Sequence, residues 1–213
     1  MKIAFTGPSG VGKTTLCKFV QETFGIPHLS TSASDVLTEE HKRVLRKLGW
    51  KEHGHMQVIQ QSAMDRDFAI RFQDFLLEDR LNQIQSNKEF VIDRSPIDNI
   101  VYRLTQASMH DHWAFYNVAL RRAIKGVNEL DLIIFVKCSN DISQIEDNES
   151  RGANFHYQRY ITKVFEMVIP LYPEFQKKVR VLDQWDLYWR KRKVYSMVAT
   201  KINNPTLFPD ENI

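Results

Sequence analysis

Residues 2–15, KIAFTGPSGVGKTT, decide the fold. Within them Gly7-Pro8-Ser9-Gly10-Val11-Gly12-Lys13-Thr14 fits the phosphate-binding pattern G-x-x-x-x-G-K-[ST] at every fixed position. Average composition produces that coincidence in about one chain in a hundred of this length. Ile3, Ala4 and Phe5 predict a short buried strand. Gly7, Gly10 and Gly12 let the backbone turn tightly and point successive N–H groups inward, which makes an anion nest. Thr14, Thr15, Leu16, Phe19 and Val20 then enter a helix whose positive N-terminal end adds to that nest. Lys13 is placed to reach β- and γ-phosphates, and the Thr14 hydroxyl to ligate Mg²⁺. The expected binding residues are Gly7, Ser9, Gly10, Val11, Gly12, Lys13, Thr14 and Thr15, in a loop expected to face solvent, with ATP and Mg²⁺ as the expected cofactors.

The rest of the composition sets limits. A chain of 213 residues with 43% hydrophobic and 11% aromatic residues is ordinary for one globular domain. No stretch reaches the roughly 18 apolar residues of a membrane helix, and the chain opens directly on a strand, so no membrane partner and a cytoplasmic location are expected. Cys17 and Cys138 are too few and too far apart for a metal site or a disulfide framework. A net charge of +3 is mildly basic, which leaves a nucleic-acid partner open without requiring one.

Outward from the loop, Gly25-Ile26-Pro27 ends the first helix, and residues 28–33 predict a short strand. Ser34 or Asp35 is the expected cap of a helix over 35–48, with a basic face of Lys42, Arg43, Arg46 and Lys47. His41, His53 and His55 lack the surroundings of a metal site. A helical pattern runs from about 55 to 86. Glu89 to Ile92 predicts a buried strand leading into Asp93-Arg94-Ser95-Pro96, with Pro96 starting the next helix. Helices follow over 97–109 and 111–126, the second ending at Gly126. Residues 130–136 form the most apolar run and predict a central strand buried on both faces. A polar stretch over 142–152, a helix over 157–169, a last strand over 179–182 and a last helix over 188–202 complete the pattern. Short apolar strands alternating with helices predict an α/β three-layer αβα sandwich around a five-stranded parallel sheet.

Asp93 and Arg94 stand at the carboxyl end of a strand, where such folds bind ligands. A carboxylate there can hold Mg²⁺ through water or accept a hydroxyl proton, and a guanidinium can bind a phosphate; the alternative is a surface ion pair.

The loop, Asp93-Arg94-Ser95 and an arginine segment near 147–151 resemble the P-loop kinases of nucleosides and nucleotides over most of the chain. Asp93-Arg94-Ser95-Pro96-Ile97-Asp98-Asn99, followed by Val101-Tyr102, is similar to the nicotinamide-riboside-kinase-like group of bacteria and their phages. The thymidylate kinase and deoxynucleoside kinase families have a comparable acidic-Arg pair. The resemblance implies a single P-loop kinase domain over 1–213 with a lid at about 141–160 that brings Arg151 and Arg159 to the transferred group, although Asn148 stands where that group has Gly. Gln73 and Arg80 resemble acceptor-side residues; they are two helical turns apart and so face one way. With Arg94 and Ser95 they make up the expected acceptor contacts, while Lys13, Asp93, Arg94, Arg151 and Arg159 make up the expected catalytic set and Thr14 and Asp93 the metal set.

The implied reaction is γ-phosphoryl transfer from ATP to a small-molecule nucleoside or nucleotide, foremost a deoxynucleoside monophosphate. Three alternatives stay open: a hydroxyl carried on DNA, such as 5-hydroxymethyluracil or a 5′ end; nicotinamide riboside; and an ATPase switch with no acceptor. Arg190-Lys191-Arg192-Lys193 beside Trp185, Tyr188 and Trp189 admits a nucleic-acid patch, but a solvated basic face with the aromatics in the core is the expected reading.

Overall fold

The computed structural model describes residues 1–29, 37–50, 65–106, 113–138 and 155–202. In chain order the elements are β1 (Lys2–Thr6), α1 (Lys13–Phe24), β2 (His28–Leu29), α2 (Glu39–Lys47), α3 (Arg66–Ser86), β3 (Phe90–Asp93), α4 (Pro96–Gln106), α5 (Trp113–Glu129), β4 (Leu132–Val136), α6 (Phe155–Val168), a 3₁₀ turn (Ile169–Leu171), α7 (Pro173–Lys178), β5 (Val179–Leu182) and α8 (Leu187–Lys201). The five strands lie in the order β2-β3-β1-β4-β5, and every pairing is parallel. The expected parallel sheet is therefore the one found.

Each face of the sheet buries one parity of side chains. Ile3 and Phe5 of β1 and Leu132, Ile134 and Val136 of β4 pack with Leu16, Cys17 and Val20 of α1 and Val194 and Val198 of α8. Ala4, Ile92, Ile133 and Phe135 point the other way, onto Leu77 and Ile84 of α3, Ile97 and Ile100 of α4, Ala119 and Ala123 of α5, and Ile161 of α6. A strand covered on both sides reads as a continuous apolar run, which is why 130–136 was legible. A smaller cluster of Leu37, Leu45, Trp50, Phe68, Phe72 and Leu76 fastens α2 to the start of α3.

Two boundaries depart from expectation for a reason the structure shows. α2 begins at Glu39, not 35, because Thr38 is its cap: the Thr38 hydroxyl accepts the His41 N–H at 3.2 Å. Ser34 and Asp35 lie outside the described residues, as do the predicted strand beyond Leu29 and the helical pattern before 65. α5 runs through Gly126 to Glu129. A Cβ at Gly126 would collide with Leu81 and come within 3.0 Å of the Pro96 ring, so this glycine permits close helix packing and is not a stop.

At the end of β1, Gly7 has φ +136°, and a Cβ there would strike the Val136 carbonyl oxygen. Gly25 closes α1 at φ +70° with open space around it. Gly25→Ala should thus show only the left-handed penalty, about 1 to 2 kcal/mol. Gly7→Ala adds a backbone collision and should lose at least about 1 kcal/mol more. Urea unfolding of the two variants side by side checks this, and equal losses would contradict the packing described for Gly7.

Candidate active site

The loop between β1 and α1 and the turn after β3 meet at the carboxyl edge of the sheet, because β1 and β3 pair directly with Phe5 opposite Asp93. Gly10 and Gly12 take φ of +83° and +85°, and Gly12 starts α1 with no side-chain cap, so the first N–H groups of that helix remain available to a ligand.

Lys13 is not solvent-facing as expected. Its side chain is 4% exposed, its ammonium donates to the Pro8 carbonyl at 2.6 Å, and it lies 3.7 Å from Asp93 Oδ1. Asp93 Oδ2 accepts the Thr14 hydroxyl, while the buried Oδ1 has no hydrogen-bond donor. Burial pushes the Asp93 carboxyl up, but Lys13, Arg94, the Thr14 hydroxyl and Arg80 outweigh it, so its pKa lies below the ordinary value.

Arg94 is a non-glycine residue at φ +125°, which is backbone strain at the point where β3 meets the loop. The strained turn aims its guanidinium back at the loop: Nη2 donates to Ser9 Oγ at 2.7 Å, Nη1 to Asp98 Oδ1 at 3.3 Å, and the group lies 4.9 Å from the centre of the Tyr102 ring. The Ser9 and Tyr102 hydroxyls are 3.4 Å apart.

Asp98 is the residue that reading by motif alone passed over as a site residue. Its buried carboxylate accepts the Thr6 hydroxyl at 2.5 Å, the Gly7 N–H at 3.4 Å, the Ser95 N–H at 2.7 Å and the Ser95 hydroxyl at 3.3 Å, besides Arg94. The pattern Ser95-x-x-Asp98 is a capping box opened by Pro96, and that was its signal in the sequence. Ser95, expected at the acceptor, is fully buried, and its hydroxyl also accepts the Ile97 N–H at 3.1 Å, so it caps α4.

Gln73 and Arg80 do share one face of α3, as their spacing requires, and both are buried against Asn99 of α4. Asn99 Nδ2 donates to Gln73 Oε1 at 3.3 Å, and Arg80 Nη1 donates to Asn99 Oδ1 at 2.5 Å and to the Ser95 carbonyl at 3.4 Å. Arg80 Nε is buried without a hydrogen-bond partner. Burial lowers the Arg80 pKa to about 10, against the opposing pull of Asp98. Thr15 is exposed on α1.

Two further residues brace the loop from the other side. Gln158 Nε2, on α6, donates to the Ser9 carbonyl at 3.0 Å, and Gln158 Oε1 accepts from Cys138 Sγ at 3.4 Å. Arg159, the next residue, is exposed on α6 and acts electrostatically on Cys138; Arg151 and most of the expected lid lie outside the described residues. Arg190 of α8 donates to three carbonyls, those of Gln184 at 2.5 Å, Val11 at 2.7 Å and Lys137 at 3.2 Å. It therefore clamps the loop to the ends of β4 and β5 and is not available to a surface track. His41 pairs with Asp79 at 2.9 Å, and His53 and His55 lie outside the described residues. Among the described residues no cluster of three or more His, Cys, Asp or Glu side chains is placed to hold a metal, and no helix is long and apolar enough to cross a membrane.

Asp98→Asn puts an amide where several donors converge on a buried charge and should cost about 3 kcal/mol. A urea unfolding midpoint equal to that of the wild type would contradict the role given to this carboxylate.

A family model described as an AAA domain matches residues 2–187. An adenylate kinase of Citrifermentans bemidjiense is 34% identical over 96 residues, 45% of this chain and 41% of that one, so the match spans less than half of the curated relative. Among solved structures, a NadR protein in complex with NR superposes with a TM-score of 0.60 at 14% identity, over 99% of this chain and 53% of that one. A deoxyadenosine kinase from M. mycoides with bound dCTP superposes with a TM-score of 0.60 at 15% identity, over 95% and 99%. At such identities the structural likeness is one of fold.

Proposed function

The chain belongs to the AAA-domain family whose model covers residues 2–187, and on that premise we propose that it is an ATP- and Mg²⁺-dependent kinase of the nucleoside and nucleotide type. The observation that carries the reading is the convergence of Lys13, Thr14, Asp93 and Arg94 at the helix-starting loop. Loop N–H groups and Lys13 hold the donor phosphates. The chain's donors fit Mg²⁺: a hydroxyl from Thr14 and the buried Asp93 Oδ1 without a hydrogen bond are hard oxygen ligands, and this ion takes one or two protein oxygens beside substrate phosphates. Thr14 and Asp93 would hold the ion there, and it would supply positive charge against the donor phosphates. A carboxyl held below its ordinary pKa suits Asp93 better to anchoring the ion than to taking a proton. Arg94 is aimed at the loop and, with Arg159 and Arg151, meets the charge on the transferred group. One domain with a lid at about 141–160 is part of this reading.

The acceptor we favour is a deoxynucleoside monophosphate. The deoxyadenosine kinase and the NadR protein with NR share the fold, and adenylate kinase is the name of the curated relative, so the nucleoside and nucleotide class is supported from several directions. Transfer to a hydroxyl on DNA is the second reading, favoured by the aromatic and basic surface of α8 described below.

Lys13→Ala and Lys13→Arg should each lower phosphoryl transfer by about 100-fold or more, the second with its charge retained. Circular dichroism melts run alongside separate loss of chemistry from loss of fold. Near-normal turnover in a folded variant would sink the assignment. Asp93→Asn should lower kcat far more than it raises the KM for ATP, and an unchanged kcat would make Asp93 structural.

A further inference from the structure

The aromatic side chains near the start of α8 are not in the core. Trp185 is 57% exposed, Trp189 53%, Leu187 47% and Tyr188 38%, a concentration of large apolar surface within five residues. Cations accompany these rings. The Arg192 guanidinium lies 5.4 Å from the centre of the Trp189 ring, and the Lys191 ammonium lies 5.4 Å from that of Phe19 on the neighbouring α1. Tyr188 meets Trp189 edge to face at 5.3 Å. From Leu187 to Lys201 the helix carries Arg190, Lys191, Arg192, Lys193 and Lys201 and no acidic residue. Before the helix, Asp186 is engaged as its cap, accepting the Trp189 N–H at 3.1 Å, and Asp183 is exposed.

We propose that this surface binds single-stranded nucleic acid, with bases stacking on Trp185 and Trp189 and backbone phosphates met by Lys191, Arg192 and Lys193. Charge complementarity selects the occupant. A contact with a second copy of the chain would set these cations against each other, and lysine is depleted where proteins meet. Exposed rings interleaved with cations are what a strand with unstacked bases requires, since every base offers a π-face and every linkage a negative charge. The surface adjoins the phosphate-binding loop, because Arg190 of the same helix turn holds the Val11 carbonyl. The proposal concerns binding and does not depend on which acceptor is phosphorylated.

The test is fluorescence anisotropy of the full chain with a labelled single-stranded oligodeoxynucleotide of about 20 nucleotides, and with its duplex, over a salt series. The single strand should bind more tightly than the duplex, with log affinity falling against log salt at a slope of about −2 for three phosphate contacts. Trp185→Ala and Trp189→Ala should each weaken binding by about 5- to 150-fold. Changing Lys191, Arg192 and Lys193 together to Gln should flatten the slope. Lys13→Ala should bind the oligonucleotide like the wild type, so that failure of the phosphate-loop reading and failure of this one are seen separately. Absent binding at low salt, tighter binding of the duplex, or binding indifferent to the tryptophan changes would each overturn the proposal. So would self-association by light scattering that disappears in the tryptophan variants, or a loss of ATP affinity in them without loss of oligonucleotide affinity.

Discussion

The carboxylate of Asp98 is the constraint on which the site depends. It gathers the hydroxyl of the last residue of β1, the first N–H of the phosphate-binding loop, the cap of α4 and the guanidinium of Arg94. Hydrogen bonds to a charged group each contribute about 1.5 to 3 kcal/mol. An anion buried this deeply is tolerable only when so satisfied. The pairing of β1 with β3 brings the loop and the Asp93 turn to one edge of the sheet, and this carboxylate ties the start of the loop to the start of α4 within that frame.

That position concentrates charge. Lys13, Arg80 and Arg94 stand against Asp93 and Asp98, all five largely removed from water, which leaves the assembly one positive charge in excess. The burial that lowers the Arg80 pKa to about 10 is a sign of how little solvent screens the cluster. That excess lies beside the start of α1, which has no side-chain cap and so carries the positive end of the helix dipole. The strained residue, Arg94 at φ +125°, is also the one whose guanidinium donates to Ser9 in the loop.

Most of this was legible where a short pattern carries its own geometry. The glycines of the loop, the apolar run at 132–136 and the acidic-Arg pair at a strand end each predicted their place, because spacing and polarity alone determine them. Reading failed where the deciding contact is tertiary. In the sequence Gly126 reads as a helix end, whereas Leu81 and Pro96 lie against it, and Lys13 reads as exposed, whereas Asp93 and the Pro8 carbonyl enclose it. Arg190 looked like one charge in a run of four, yet its three carbonyl partners come from separate segments that no sequence window joins. The aromatic residues of α8 carry no periodicity that distinguishes a core face from an exposed one, so their exposure had to be seen.

The most direct measurement is phosphoryl transfer from γ-labelled ATP and Mg²⁺ to a single panel of acceptors: nucleosides, deoxynucleoside monophosphates, nicotinamide riboside, and plain and hydroxymethylated DNA. Label appearing on deoxynucleoside monophosphates, and lost in Lys13→Ala, is the result predicted here. Steady ATP hydrolysis with no phosphorylated acceptor in any class would contradict the account and leave a nucleotide-driven switch in its place.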